Sequence, residues 1–353
     1  MNDNANEARR DAMISIQEPP LVVTRQFFAN SKEEVERLEH AQTTNCTLLR
    51  HLWTFRNREC TKPRDRVFAM KALSLDVGNL IEPDCEDDVG QTSAKAALTI
   101  VEHHKKLDIL GMCITLEGCE PGGGERPSWA PDLGLPARRR PFTSLTMFLG
   151  EHEPYYTATM SSEATLGPCN LKRLTTYGHR VGIVAALGSE KQKTWDDMVR
   201  HSKELVDQLP NMELASNTTR MEAFWRTLIT NRNSNSEPAS VDTEGEQFKL
   251  WWATLTKQAT YPLLMYLNFN SAFLQHFNLR SFFTTSTGHI GLGPEGTKVD
   301  DHVVLLSGTQ VPFILRQKDE HYQVIGEAYV HGIMDGSYWN NMTNQEMTSF
   351  SLV

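Results

Sequence analysis

The sequence lacks a run of eighteen apolar residues, so no stretch reads as a membrane-spanning helix. It also lacks a surplus of basic charge. Lys and Arg number 35 against 44 Asp and Glu, giving a net charge of −9 and a pI of about 5.8. General nucleic-acid binding needs a basic footprint, so none is expected. Arg138-Arg139-Arg140 is a local exception, and beside Pro141 it reads as a solvated loop. The N-terminus, MNDNANEARRDA, has no apolar signal-peptide core and no Gly at position 2 for myristoylation. Without a targeting signal, a cytoplasmic location is expected. The six cysteines are scattered, and Cys113 and Cys119 are too far apart for a CxxC pair. That excludes a zinc knuckle or redox motif and leaves reduced thiols as the expectation.

The common catalytic signatures are missing too. There is no GxSxG, HExxH, Walker loop or strand-borne GxGxxG. Gly122-Gly123-Gly124 is a loop without the context of a phosphate cradle, and Gly291-Leu292-Gly293-Pro294 is a turn. His103 and His104 are adjacent, so from a helix they cannot chelate one metal. His331 with Asp335 and His302 with Asp301 have no obvious Ser or Cys nucleophile nearby. Neither a metal nor a cofactor is expected.

What is present is an ordinary soluble balance, 39% hydrophobic and 22% charged, in 353 residues. The patterning indicates an α+β fold, with helices packed around a small curved antiparallel sheet or partly closed barrel near the C-terminus. Residues 1–30 read as an arm, and residues 31–165 as mainly helical, opening on the capping box Ser31-Lys32-Glu33-Glu34. Pro63 to about Leu75 and Gln91–Lys106 carry helical apolar stripes. Residues 166–190 and 280–338 read as the β core, the first as two strands, Leu171–Thr176 and His179–Leu187. Residues 191–279 form a helical insertion whose helices open on Thr194 with Asp197 and on Thr219 with Glu222; its polar stretch 231–246 is expected to be disordered.

The stretch Tyr322–His331 reads as one strand with two faces. Tyr322, Val324, Gly326, Ala328 and Val330 share one face; Gln323, Ile325, Glu327, Tyr329 and His331 share the other. The second face aligns a carboxylate, a phenol and an imidazole. If it meets a cavity, Glu327, Tyr329 and His331 are the candidate catalytic groups, with Arg316 and Arg280 binding substrate. Trp129, Trp251, Trp252 and Trp339 are the candidate walls, because Met- and Trp-rich helices over a curved sheet can frame an apolar pocket. The plainer reading makes the tryptophans core residues, Trp129 with its indole N–H bonded to backbone, and makes the Arg–carboxylate pairs strand locks.

Several runs resemble a known family. They are Phe282-Phe283, Gly288-His289-Ile290-Gly291-Leu292-Gly293-Pro294, Val311-Pro312-Phe313-Ile314-Leu315-Arg316 and Gly326-Glu327-Ala328-Tyr329-Val330-His331-Gly332 through Gly336. With Pro63–Ala69 and Pro127–Asp132 upstream, they look like the C-terminal signature of fungal heterokaryon-incompatibility (HET) proteins. Ser281 stands where that family often has a second Arg, and Leu133 where it often has Trp. The family's N-terminal Ser-Tyr-x-Trp-Gly and Trp-Ile-Asp-Ala-x-Cys-Ile-Asn-Gln runs do not occur. The resemblance therefore implies the accessory half without the half held to trigger incompatibility. Two functions are expected from it. One is a small-molecule-binding module, in its sharp form a cofactor-free cyclase or isomerase of Diels–Alder type acting on a terpenoid or polyketide. The other is a non-enzymatic regulatory protein of incompatibility and cell death, with protein partners.

Overall fold

A computed structural model describes residues 47–58, 60–84, 86–114, 126–133, 142, 155–160, 162–188, 194–210 and 218–353. Residues 41–353 form one compact unit; residues 1–40 lie outside the described residues. So do the arm, the helix expected from Ser31, the triple arginine and the triple glycine.

The N-terminal helices start where side chains can satisfy free backbone N–H groups. Helix α1 (Leu48–Thr54) is capped by Thr47. Helix α2 (Asp65–Lys71) is shorter than its apolar stripe suggested, and its Arg64 donates to the Asp87 carbonyl. Helix α3 (Val89–His104) has a full capping box between Asp88 and Gln91, and Lys105 ends it in the left-handed region at φ 53°. The following Asp108–Met112 is a short 3₁₀ turn.

Strand β1 (Leu174–Leu187) is the spine of the sheet, one continuous strand where two were expected. Its first half pairs with β8 (Thr348–Leu352), its middle with β4 (His302–Leu306) and its end with β2 (Arg280–Thr285). A bulge between Arg180 and Gly182 bends it, which lets one strand serve three partners. Strands β3 (Ile290–Pro294), β5 (Phe313–Lys318), β6 (His321–Glu327) and β7 (Tyr329–Val330) complete eight strands in the order β4-β5-β6-β8-β1-β2-β3-β7. The extra β1–β4 pairing closes part of this sheet into a ring, and the pairing is antiparallel except between β6 and β8. The sequence reading had no strand at β8.

Alternation along the strands sorts their side chains into two cores. Val181, Val184, Phe283, Val303, Leu305, Ile314, Ile325 and Val330 form one cluster, stoppered by Ala158, Ile333 and Trp339. Their neighbours Phe282, Val304, Leu306, Phe313, Leu315 and Val324 turn the other way, into a larger core shared with the helices. This inner cluster is tight at β3: a Cβ on Gly293 would meet the Thr297 hydroxyl at 2.5 Å, the Ile314 side chain at 3.3 Å and the Phe283 ring at 3.4 Å.

The insertion supplies α4 (Trp195–Gln208), α5 (Arg220–Leu228), α6 (Glu246–Leu255) and α7 (Leu267–Phe277). Thr194 and Thr219 accept from the N–H of Asp197 and Glu222, as the sequence pattern predicts. The segment 231–246 departs from its expected disorder. Asn231 Oδ1 and the Ala239 carbonyl both accept from Arg226, and Val241–Gly245 forms one π turn before α6. Its polar groups bond to one another and to α5, which the low apolar content could not reveal. Helix α8 (Ser337–Met342) follows β7 and seats Trp339 in the inner core.

Candidate functional site

The β5–β6 hairpin carries the candidate residues, and its register corrects their assignment to faces. Pairing slips between Ile314 and Leu315, where Gly326, at φ 144°, sits opposite Ile314. This bulge inverts the alternation. Tyr322 and Val324 share the larger core with Tyr329, whereas Ile325 joins Ala328 and Val330 in the inner one. The expected single strand is two, because at Ala328 the chain leaves β5 and pairs through β7 with β3. The Ala328 N–H donates to the Pro312 carbonyl at 2.8 Å and the His331 N–H to the Ile290 carbonyl at 2.9 Å, fixing the turn.

Glu327 is completely buried and sits 3.3 Å from the Arg280 guanidinium, from the start of β2. Its carboxylate also accepts the backbone N–H of Phe142. The Phe142 ring lies 3.5 Å below the same guanidinium, so Arg280 is held between a carboxylate and an aromatic face. Phe142 meets Tyr156 edge-on at 6.0 Å, and Tyr156 meets Tyr329 in the same way at 6.0 Å. The Tyr156 hydroxyl donates to the Thr230 carbonyl at 2.7 Å. Tyr329 then approaches His331, with its hydroxyl 3.4 Å from Nδ1. Arg280, Glu327, Tyr329 and His331 therefore form one buried row, joined by Phe142 and Tyr156.

Burial sets the protonation states along this row. It lifts Tyr156 and Tyr329 above the usual phenol range, reinforced at Tyr329 by the Tyr156 phenol, so both are neutral. It lowers His331 to about 4, and Arg226 on α5 and His289 act in the same direction against Glu222. The imidazole is thus neutral near pH 7. The Tyr329 hydroxyl and His331 Nδ1 form one contact in which the tautomer decides the donor, while Nε2 is buried and has no hydrogen-bond partner among the described residues. An N–H and a phenol this close can polarise a carbonyl. Desolvation also depresses Arg280, opposed by Glu327, and raises Asp108 to about 6, opposed by Lys106 and Gln310.

The other sequence candidates do not join this row. Arg316 grips Asp301 with two bonds of 2.8 Å and the Gly296 carbonyl with one of 2.7 Å, locking β5 to the loop before β4. Trp251 donates to Asn270 at 3.1 Å and packs on Phe269 and Phe273, while Trp252 packs on Phe224 and Phe248. Both belong to a continuous aromatic block rather than a pocket wall. Trp339 stacks edge-on with His179 at 5.2 Å. Trp129 is fully buried in the larger core, but its indole N–H has no partner among the described residues, contrary to the expected backbone bond. An open groove of about 730 Å³ lies elsewhere, lined by Asn170, Leu171, Lys172, Arg173 and Val353. Among the described residues no three His, Cys, Asp or Glu side chains gather as metal ligands.

Sequence reasoning missed Asp108, Phe142 and Tyr156. Asp108 follows a helix and Phe142 lies in a weakly patterned stretch, so no periodicity marks them. The Glu222–Arg226 pair beside His331 was legible as an i, i+4 ion pair, at 2.8 Å.

Comparison with known proteins agrees with the C-terminal motifs. Residues 197–353 match the Het-6 beta-barrel domain. A stretch of 67 residues is 36% identical to "Heterokaryon incompatibility protein 6, OR allele" of Neurospora crassa, covering 18% of this chain and 10% of that protein. The match thus spans about a tenth of the length of that curated relative. No solved structure matches. The matched domain contains β2 to β8 but stops short of β1, the strand that joins them. Over residues 197–353 the chain is therefore similar to the Het-6 beta-barrel domain, in line with the resemblance of its C-terminal motifs.

Proposed function

We propose that this chain is a non-enzymatic recognition module of the heterokaryon-incompatibility type, acting through the surface of its barrel. The observation that carries this reading is the close packing around Phe283 in the inner cluster. Phe283 packs against Gly293 and Ile314, and Trp339 and Ile333 stopper the same cluster. Glu327 and Arg280 are engaged with each other and with Phe142, so these charges serve the scaffold. The similarity to a relative named for heterokaryon incompatibility supports the same reading. The test is expression in a filamentous fungus, scored for cell death at hyphal fusion. His331→Ala and Tyr329→Phe should retain the response, and Phe283→Ala, which hollows the barrel, should lose it. A response that follows His331 instead would reject a purely structural role for the row.

A second reading is favoured by one observation, the buried Nε2 of His331 beside a neutral phenol. In it the row binds a carbonyl-bearing apolar molecule and accelerates its cyclisation or cycloaddition without a cofactor. Here His331→Ala abolishes turnover of a polyene aldehyde or ketone while the chain stays folded. Product ratios equal to those in buffer for the unaltered protein would end this reading.

A further inference from the structure

The turn between α6 and α7 displays its apolar side chains instead of burying them. Leu264 is 81% exposed, Leu263 51%, Met265 49% and Leu267 39%. The segment is nonetheless pinned. Pro262 to Tyr266 makes one tight turn, with the Met265 N–H donating to the Pro262 carbonyl at 3.0 Å. Tyr266 and Phe269 are buried beneath it, and the Phe269 N–H donates to Gln247 at 3.0 Å. Four apolar side chains therefore stand on a fixed ledge anchored from below. Contiguous apolar exposure of this kind marks a contact surface more often than an accident of folding.

Charge says what the ledge faces. From Gln247 to Pro294 the sequence has no Asp or Glu, in a chain that has 44 of them in 353 residues. The same stretch exposes Lys249 and Lys257, while Tyr261 and Trp252 are half-buried beside the turn. Two neighbouring carboxylates are tied, Asp197 to Arg200 at 2.6 Å and Glu246 to Lys249 at 2.6 Å, the second pair occupying Lys249. An apolar tip with lysines and amphipathic aromatics behind it, free of carboxylates of its own, is the composition of an interfacial membrane contact. We propose that the Pro262–Leu267 ledge inserts at the surface of an anionic bilayer, with Lys257 facing lipid phosphates.

The test is co-sedimentation of the full chain with two kinds of vesicle, phosphatidylcholine alone and phosphatidylcholine mixed with phosphatidylserine. Binding is expected to the mixed vesicles and to fall with added salt. Leu264→Glu should cut the bound fraction by about tenfold or more, and Lys257→Glu by less. Leu264 is largely exposed, so the variant should keep its melting temperature, which separates lost binding from lost folding. The proposal is overturned by absent binding to the mixed vesicles, or by binding that Leu264→Glu leaves intact. A Leu264-dependent dimer in light scattering, without vesicle binding, would assign the ledge to a second copy of the chain and equally overturn it.

Discussion

Glu327 and Arg280 are two charges taken out of water together, and that coupling governs how each tolerates change. Removing one partner of a buried pair costs more than replacing both. Glu327→Gln is expected to destabilise the fold by ~3–5 kcal/mol, read from the urea midpoint. Adding Arg280→Met to it should recover part of the loss, and a double variant worse than the single would contradict the pairing. His331 gives a pH test. Its folded value of about 4 lies below the 6.5 of a free imidazole, so the unfolded chain binds the extra proton between them. Stability should therefore rise with pH across roughly 4 to 6.5, by ~3 kcal/mol from this group. Asp108 acts oppositely: its folded value of about 6 is raised above 3.8, so its contribution is lost as pH increases through that interval. The two slopes offset each other. His331→Gln should reveal a decline between pH 4 and 6, and Asp108→Asn an increase, in thermal melts across that range. A pH profile unchanged by either variant would show that neither group titrates as its surroundings dictate.

The helices and strands divide according to how local their signals are. Thr194 and Thr219 were readable because a cap is settled within four residues. Thr219→Ala should cost ~1 kcal/mol in chemical denaturation, while Thr219→Asp should be nearly neutral. The slip at Gly326 was not readable, because a bulge is decided by the partner strand and not by the strand that bears it. The alternation Tyr322 to His331 looked unbroken, yet Ile325 and Tyr329 end in different cores. The same limitation hid β8, whose Thr348–Leu352 run has few apolar residues and gains its place by filling the gap between β1 and β6. The row of Glu327, Tyr329 and His331 was legible as a set of chemically apt residues. Its bridging members, Phe142 and Tyr156, arrive from a segment without periodicity, so their convergence is a property of the tertiary fold.

For the molecule as a whole, the inner cluster is the point of greatest sensitivity. Phe283 reaches across to the backbone of β3, and Phe283→Ala should cost ~3–5 kcal/mol with little room for collapse around it. Phe313 is just as buried but faces the helices, and Phe313→Ala should cost a similar ~3–5 kcal/mol. Comparable losses at two sites on opposite faces of the sheet would be expected of one cooperative unit over 41–353; a second transition in either variant would split it.

The long spine strand has a further consequence for how the chain is made. Leu174–Leu187 leaves the ribosome well before Arg280–Thr285, His302–Leu306 and Thr348–Leu352, the three strands that pair with it. At ordinary rates of synthesis that wait lasts on the order of ten seconds. During it a fourteen-residue strand has open edges and apolar side chains, among them Val181 and Val184, with nothing to meet them. Nascent chains of this protein should therefore depend on chaperones that shield β edges until Thr348–Leu352 has emerged.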